Sequence, residues 1–161
     1  MKVLYLYAEI MGYNLPVLNI LSKDYNADVT VISWKKKLTK YKIDNNANTI
    51  NFLFKEDFSK AELRLFCLEL KPDLIVVSGW MDRDYLKICK EIKNNKSSII
   101  VGASDTQWSN SFRHKVATIL SPIYHKTFFD YLWVSGVWQY DYARKLGFPN
   151  NKIVFNCLSA D

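Results

Sequence analysis

The sequence predicts an α/β fold: one parallel sheet of about seven strands with helices on both faces. Three observations carry this. Short, nearly continuous apolar runs alternate with longer amphipathic segments, the pattern of strands buried on both faces and joined by crossover helices. Four of the five glycines, Gly12, Gly79, Gly102 and Gly136, fall where such runs end, and Gly147 falls where a helix should stop. A length of 161 residues favours one domain, and no repeat, low-complexity tract or linker divides it.

Residues 2–7 (KVLYLY) form the first predicted strand, followed by a loop with Glu9, Met11, Gly12 and Tyr13. Asn14 is placed to cap the next helix, with Pro16 in its first turn and Val17, Leu18 and Leu21 on its apolar face. Residues 28–33 (DVTVIS) are a second strand and residues 49–54 a weaker third. Between them lies the densest basic stretch, Lys35, Lys36, Lys37, Lys40 and Lys42, flanked by Trp34 and Tyr41. It reads first as a solvated connection, and second as a contact for phosphates or a membrane surface.

Ser59 and Glu62 make a capping box that opens a helix ending before Pro72. Residues 73–77 (DLIVV) are the clearest strand. Gly79 ends it, and Asp82 is placed to cap a helix carrying Tyr85, Leu86, Ile88, Cys89 and Ile92. Residues 98–108 (SIIVGASDTQW) then read as a buried strand that stops at Gly102, with a polar loop holding Asp105, Gln107 and Trp108. Ser109 would cap a long helix, interrupted near Pro122. Residues 128–134 are a sixth strand. Gly136 opens another helix, in which Trp138 and Tyr140 read as packing residues, and Gly147 with Pro149 stops it. Residues 152–155 (KIVF) are a last short strand.

A hydrophobic share of 49% and a charged share of 24% suit a globular domain that needs no staple. Cys67, Cys89 and Cys157 are widely spaced and show no CxxC; Cys67 and Cys89 fall in apolar helical patterns and read as buried free thiols of a reducing compartment. No signal peptide is evident, and the longest aliphatic run, residues 74–77, cannot span a bilayer. The expected location is cytoplasmic. The net charge of +6 fits a phosphate-bearing partner or an anionic membrane, although a single basic run does not specify nucleic acid. GxGxxG, GxxxxGK[ST] and GxSxG are all absent. His114 and His125 lack the companions of a zinc site. In sheets of this class ligands sit beyond the carboxyl ends of the strands, which directs attention to the loops at Met11–Tyr13 and Asp105–Trp108.

The chain resembles the N-terminal domain of GT-B glycosyltransferases of the group 1, retaining kind, a Rossmann-like fold. Three stretches carry the resemblance: the opening strand running into Met11-Gly12; the segment GASDTQW at 102–108, similar to an acceptor-side loop; and FDYLWVSGVWQYDYARKLGFPNNKIVFNCLSAD at 129–161, similar to the part that precedes the interdomain hinge. The resemblance implies that residues 1–161 are the acceptor-side domain of a two-domain enzyme. The absent C-terminal domain would bind the nucleotide-sugar donor and supply a paired-glutamate motif. Activity would be transfer of the sugar to an acceptor hydroxyl on a glycan or lipid-linked acceptor, as in polysaccharide biosynthesis. This chain alone would be inactive. The resemblance implies no cofactor beyond the donor co-substrate, no metal, no nucleic acid and, in some settings, peripheral contact with the inner membrane face.

Under that resemblance, Asp105 is the candidate catalytic residue, orienting the acceptor hydroxyl or stabilising positive charge at the anomeric carbon. Some family members have histidine in this region; this chain does not, and Asp105 is not assigned as a general base. Gly12 would let the backbone approach the donor sugar or diphosphate. Met11, Tyr13 and Gln107 would line the cleft, and Trp108 would stack on a sugar. The plainer alternatives are a turn glycine, an Asx-turn aspartate and a packing tryptophan. Trp80 and Asp82 join the cleft only if their loop turns inward. Two other readings stay open: a stand-alone Rossmann or flavodoxin-like binding module without transfer chemistry, and half of a non-hydrolysing sugar-nucleotide epimerase.

Overall fold

The computed structural model describes residues 1–35, 50–95 and 98–157. Its elements in chain order are β1 (Lys2–Tyr7), α1 (Asn14–Lys23), β2 (Asp28–Ser33), β3 (Ile50–Phe54), α2 (Lys60–Leu70), β4 (Leu74–Val77), α3 (Arg83–Asn94), β5 (Ile99–Ser104), α4 (Phe112–Phe128), β6 (Tyr131–Val134), α5 (Val137–Lys145) and β7 (Ile153–Val154). Lys36, Lys37, Lys40 and Lys42 of the basic stretch, and residues 158–161, lie outside the described residues.

All seven strands join one sheet in the order β3-β2-β1-β4-β5-β6-β7, parallel at every pairing. The fold is therefore a Rossmann-like α/β domain, with its order reversing between β1 and β4. β1 sits beside that reversal and is buried apart from Lys2, which is why its sequence is apolar on both faces. One face carries Leu4, Leu6, Ile75, Val77, Ile100 and Leu132, covered by buried residues of α2, α3, α4 and α5. The other carries Val3, Tyr5, Val29, Val31 and Val76, covered by Leu18 of α1. Helices thus lie on both faces, as the alternation predicts. Cys67, Cys89 and Cys157 are buried free thiols. Among the described residues no helix is long and apolar enough to cross a membrane.

Several local expectations hold. The Ser59 hydroxyl accepts from the Glu62 amide (3.2 Å), and the Glu62 carboxylate accepts from the Ser59 amide (2.8 Å). Asp82 caps α3, accepting from the amides of Asp84 and Tyr85. Gly147 has φ +87°, the left-handed geometry that follows a helix.

Others are corrected. Asn14 is the first residue of α1 and not its cap; its carboxamide oxygen accepts from the Met11 amide at 2.9 Å and shapes the preceding turn. β5 does not stop at Gly102 but runs on to Ser104, and Gly102 pairs with Val77 and Leu132 inside the sheet. A Cβ there would lie 3.1 Å from the Phe129 ring and from Leu132, so this glycine leaves room for an aromatic ring instead of ending the strand. Ser111 caps α4 in place of Ser109, because Asn110 turns the chain with φ +54°. α4 continues through Pro122, losing one backbone hydrogen bond without breaking. Phe128 closes α4, and β6 begins only at Tyr131; the apolar run at 128–134 joins a buried helix end to a strand.

A candidate substrate cleft at the strand order reversal

A cavity of about 360 Å³ opens at the carboxyl ends of β1, β4 and β5. This is the reversal point between β1 and β4, where crossovers leave in opposite directions and a crevice forms. Each strand contributes a loop. Behind β1 come Glu9, Met11 and Tyr13, behind β4 Ser78 to Met81, and from β5 Ser104, Asp105 and Thr106.

The loops are tied to one another. The Ala8 amide donates to the Ser78 hydroxyl (3.0 Å), joining the ends of β1 and β4. Gly79 has φ +64°, and a Cβ there would sit 3.2 Å from the Ala103 carbonyl oxygen. Only a residue without a side chain lets this loop pass so close to β5. Trp80 follows it into the cavity wall, backed edge-on by the His125 ring at 4.8 Å. His125 is itself fixed by the Ser121 hydroxyl (2.7 Å), which donates to the Leu146 carbonyl (2.7 Å). Burial pulls the His125 pKa down to about 4, so the ring is neutral near pH 7.

Of the predicted site residues, Met11, Tyr13 and Asp105 line the same cavity. Tyr13 is half-buried, and its phenol pKa is raised, first by burial and then by the negative charges of Asp105 and Glu9, with Cys157 also contributing. It therefore keeps its proton at neutral pH and can donate a hydrogen bond. Asp105 is exposed at the rim, and its backbone carbonyl accepts from the Gln139 side chain (3.1 Å). Cys157 lies in the wall with its thiol pushed up to about 11, chiefly by burial, which makes it a poor nucleophile.

Gly12, Gln107 and Trp108 are not part of the wall. The Gly12 carbonyl accepts from the Leu15 amide (3.1 Å), inside the turn that begins α1. Gln107 is exposed further along its loop. The Trp108 ring packs 5.7 Å from His114 and 5.9 Å from Tyr142, with the Lys145 ammonium 5.5 Å above it. Asp82 is also elsewhere: it accepts from the Trp34 indole and the Lys55 ammonium, both at 2.7 Å.

The polar and loop residues of the wall that the sequence did not single out include Glu9, Ser78, Gly79, Met81, Ser104 and Thr106, and Trp80 is the conditional candidate whose loop does turn inward. The signal for them is positional, since each lies at or just beyond the carboxyl end of β1, β4 or β5, and it needs the strand order to be read.

Among the described wall residues the charged side chains are both acidic. Glu9 and Asp105 lie in the wall, and among the described residues no Lys, Arg or His lines it. The start of α1 is also spent as an anion site: the amides of Asn14 and Leu15 donate to the carbonyls of Met11 and Gly12, and Pro16 has no N–H. In dinucleotide-binding folds these first-turn donors meet the pyrophosphate. The Asp105 carboxylate, the Tyr13 phenol, the hydroxyls of Ser78, Ser104 and Thr106, and the apolar Trp80 and Met11 suit a neutral, hydroxyl-rich ligand. No set of three or more His, Cys, Asp or Glu side chains suited to a metal occurs among the described residues.

No protein-family model and no curated protein matches the sequence. Among solved structures, the chain is similar to a dTDP-glucose 4,6-dehydratase from Bacillus anthracis in complex with NAD, at 14% identity and a TM-score of 0.48, over 84% of this chain and 54% of that one. The chain thus spans about half the length of that enzyme, which is not a glycosyltransferase.

Proposed function

We propose that this chain is the acceptor-binding domain of a retaining glycosyltransferase that moves a sugar from a nucleotide-sugar donor to an acceptor hydroxyl. The observation that carries the reading is the cleft at the β1/β4 reversal, with Asp105 and Tyr13 beside Trp80 and no cation among its described wall residues. A carboxylate and a protonated phenol grip sugar hydroxyls, and an indole offers a face to the C–H side of a ring. Among the described residues the first-turn amides of Asn14 and Leu15 are taken and no cation lines the wall, which agrees with a division of labour in which the donor's diphosphate is held by a second domain.

In this reading Asp105 stands at the open rim, where acceptor and donor meet. Its carboxylate accepts the proton side of the acceptor hydroxyl's hydrogen bond, fixes the attacking oxygen, and offsets positive charge that develops at the anomeric carbon. Tyr13 donates to a neighbouring sugar oxygen, and Trp80 sets the plane of the ring.

Saturation-transfer NMR of this chain tests the binding half of the reading, with neutral oligosaccharides, uridine diphosphate and NAD offered in turn. The expected result is transfer to oligosaccharides, lost in Trp80→Ala, and none to the two nucleotides. Nucleotide binding with shifts at Met11 and Tyr13, and no response to any glycan, would replace it with a nucleotide-binding module. In an enzyme that includes the donor domain, Asp105→Ala should lower transfer about 10²–10³-fold, the range for removing one preorganised electrostatic group.

A further inference from the structure

Trp80 lies on a loop, and a loop residue offers a ligand a fixed surface only if something behind it holds its ring. Behind Trp80 stands α4. The inward side of that helix buries Ser121, His125 and Phe128 and half-buries Ala117. The His125 ring meets the Trp80 ring edge-on at 4.8 Å, and Tyr124 meets His125 edge-on at 5.3 Å. The hydrogen bonds of His125 then fix which nitrogen carries its proton. The Leu146 carbonyl, just past the end of α5, can only accept, so the Ser121 hydroxyl donates its single hydrogen there (2.7 Å). The Ser121 oxygen is left to accept, and His125 Nδ1, 2.7 Å away, must donate. Ser121 is wholly buried, so water competes for neither bond. His125 is therefore the Nδ1–H tautomer, and burial keeps Nε2 unprotonated near pH 7. α5 reaches the cleft through this buried end, where Tyr142 and Leu146 pack into the core. It does not do so through Trp138, which the sequence expects to pack and which is 71% exposed.

We infer that His125 is a positioning residue for the cleft: held by Ser121 as the Nδ1–H tautomer, it fixes the plane in which Trp80 meets a sugar ring. This role rests on the sugar-binding reading for its ligand, and on α4 and α5 alone for its geometry. His125 does not line the cavity and acts through Trp80. The polar chain does what an apolar ring could not. Packing alone leaves a ring free to turn in its own plane, whereas only one orientation puts Nδ1 on the Ser121 oxygen. An indole that already lies in its bound plane has little freedom to lose when the ligand arrives, which is affinity gained by preorganisation.

Nitrogen-15 NMR of labelled histidine in the ligand-free chain is the first test. The expected His125 signature near pH 7 is a protonated Nδ1 and a bare Nε2; a protonated Nε2 would overturn the assignment without any variant. Ser121→Ala removes the acceptor. It should mix the tautomers, shift and broaden the Trp80 indole N–H signal, and weaken oligosaccharide binding about tenfold, with circular dichroism unchanged. Ser121→Thr restores the hydroxyl and should bring all three readings back toward the parent chain. His125→Phe keeps a ring behind Trp80 but not the bond, and should move the indole signal as Ser121→Ala does. A Trp80 signal indifferent to both Ser121→Ala and His125→Phe would overturn the inference, since packing alone would then hold the indole. Failure of the sugar reading looks different: the parent chain would bind no oligosaccharide while the Trp80 signal still answered Ser121→Ala, which would retire the ligand and keep the positioning.

Discussion

Asp82 and Asp105 stand on neighbouring loops at the same edge of the sheet, after β4 and after β5, and the sequence offers both as short acids following a strand. Their surroundings differ in kind. Asp82 is buried and fully engaged: it caps α3 through two amides and accepts from the Trp34 indole and the Lys55 ammonium. Burial acts to raise its pKa, but the hydrogen bonds from Lys55, Trp34 and the Tyr85 amide outweigh burial and hold it below the usual carboxylate range. Asp105 is exposed, and among the described residues no ion pair involves its carboxylate. An acid whose lone pairs are taken up by its own fold holds loops together, whereas one left at the rim of a cleft has them available for a ligand. Position after a strand does not tell the two apart; the partners do.

The largest effect expected from this contrast is on stability. Asp82→Ala should destabilise the domain by about 2–4 kcal/mol, because α3 loses its cap, the Trp34 indole loses its acceptor and Lys55 keeps only Asp84 as a partner. Urea denaturation measures this. The same acid sets a pH dependence. Its folded pKa is lowered, so its contribution is complete above the unfolded value near ~4 and is lost as pH falls through the folded value. Asp82→Asn should therefore flatten the acid side of the stability profile. An unchanged acid limb in that variant would mean that Asp82 is not the engaged member of the pair.

A smaller effect is expected inside β5, the strand that delivers Asp105. Gly102→Ala places a methyl group 3.1 Å from the Phe129 ring and Leu132, and overpacking of this kind costs about 1–3 kcal/mol. Phe129 and, on the neighbouring strand β6, Leu132 are the side chains that must give way, and neither hydrogen-bonds to Asp82, Trp34 or Lys55. Amide shifts in a heteronuclear NMR spectrum should accordingly reach Ser104 and Asp105 while the Trp34 indole signal stays in place. Movement of both would show that the two loops are coupled through the sheet, and the contrast would then be one of degree.

What the sequence disclosed follows the range of the interactions involved. β1 and β2 are legible to the residue because their apolar runs are bounded by polar or loop-forming neighbours. The capping box at Ser59 and Glu62 and the cap at Asp82 are equally legible, since their bonds close within three residues. The end of β5 is not, because Gly102 is explained by Phe129, twenty-seven positions away. Met11, Tyr13 and Asp105 are found by the rule that ligands sit beyond strand ends. That rule selects Trp108 equally well, and only its ring contacts with His114 and Tyr142 show what it packs against. Glu9, Ser78 and Trp80 become visible once β1 and β4 are known to be neighbours, a fact no local pattern encodes.

The smallest expected effect is the most specific. Asp105→Asn should change stability by no more than about 0.5 kcal/mol, as for exposed positions without engaged partners. Its consequence should appear instead at Tyr13. The Tyr13 phenol pKa is raised first by burial and next by the Asp105 charge; removing that charge leaves the burial contribution and takes away the electrostatic one. The Tyr13 pKa in Asp105→Asn should therefore fall toward the ordinary tyrosine value without reaching it, read from the ring-carbon shift of labelled tyrosine across an alkaline titration. Asp82→Asn serves as the control, since Asp82 does not figure among the charges acting on Tyr13. A Tyr13 titration that ignores Asp105 and responds to Asp82 would invert the comparison and place the available acid on the wrong loop. A response to Asp105 alone would tie the β1 and β5 loops electrostatically across the mouth of the cleft, as a shared grip on one ligand requires.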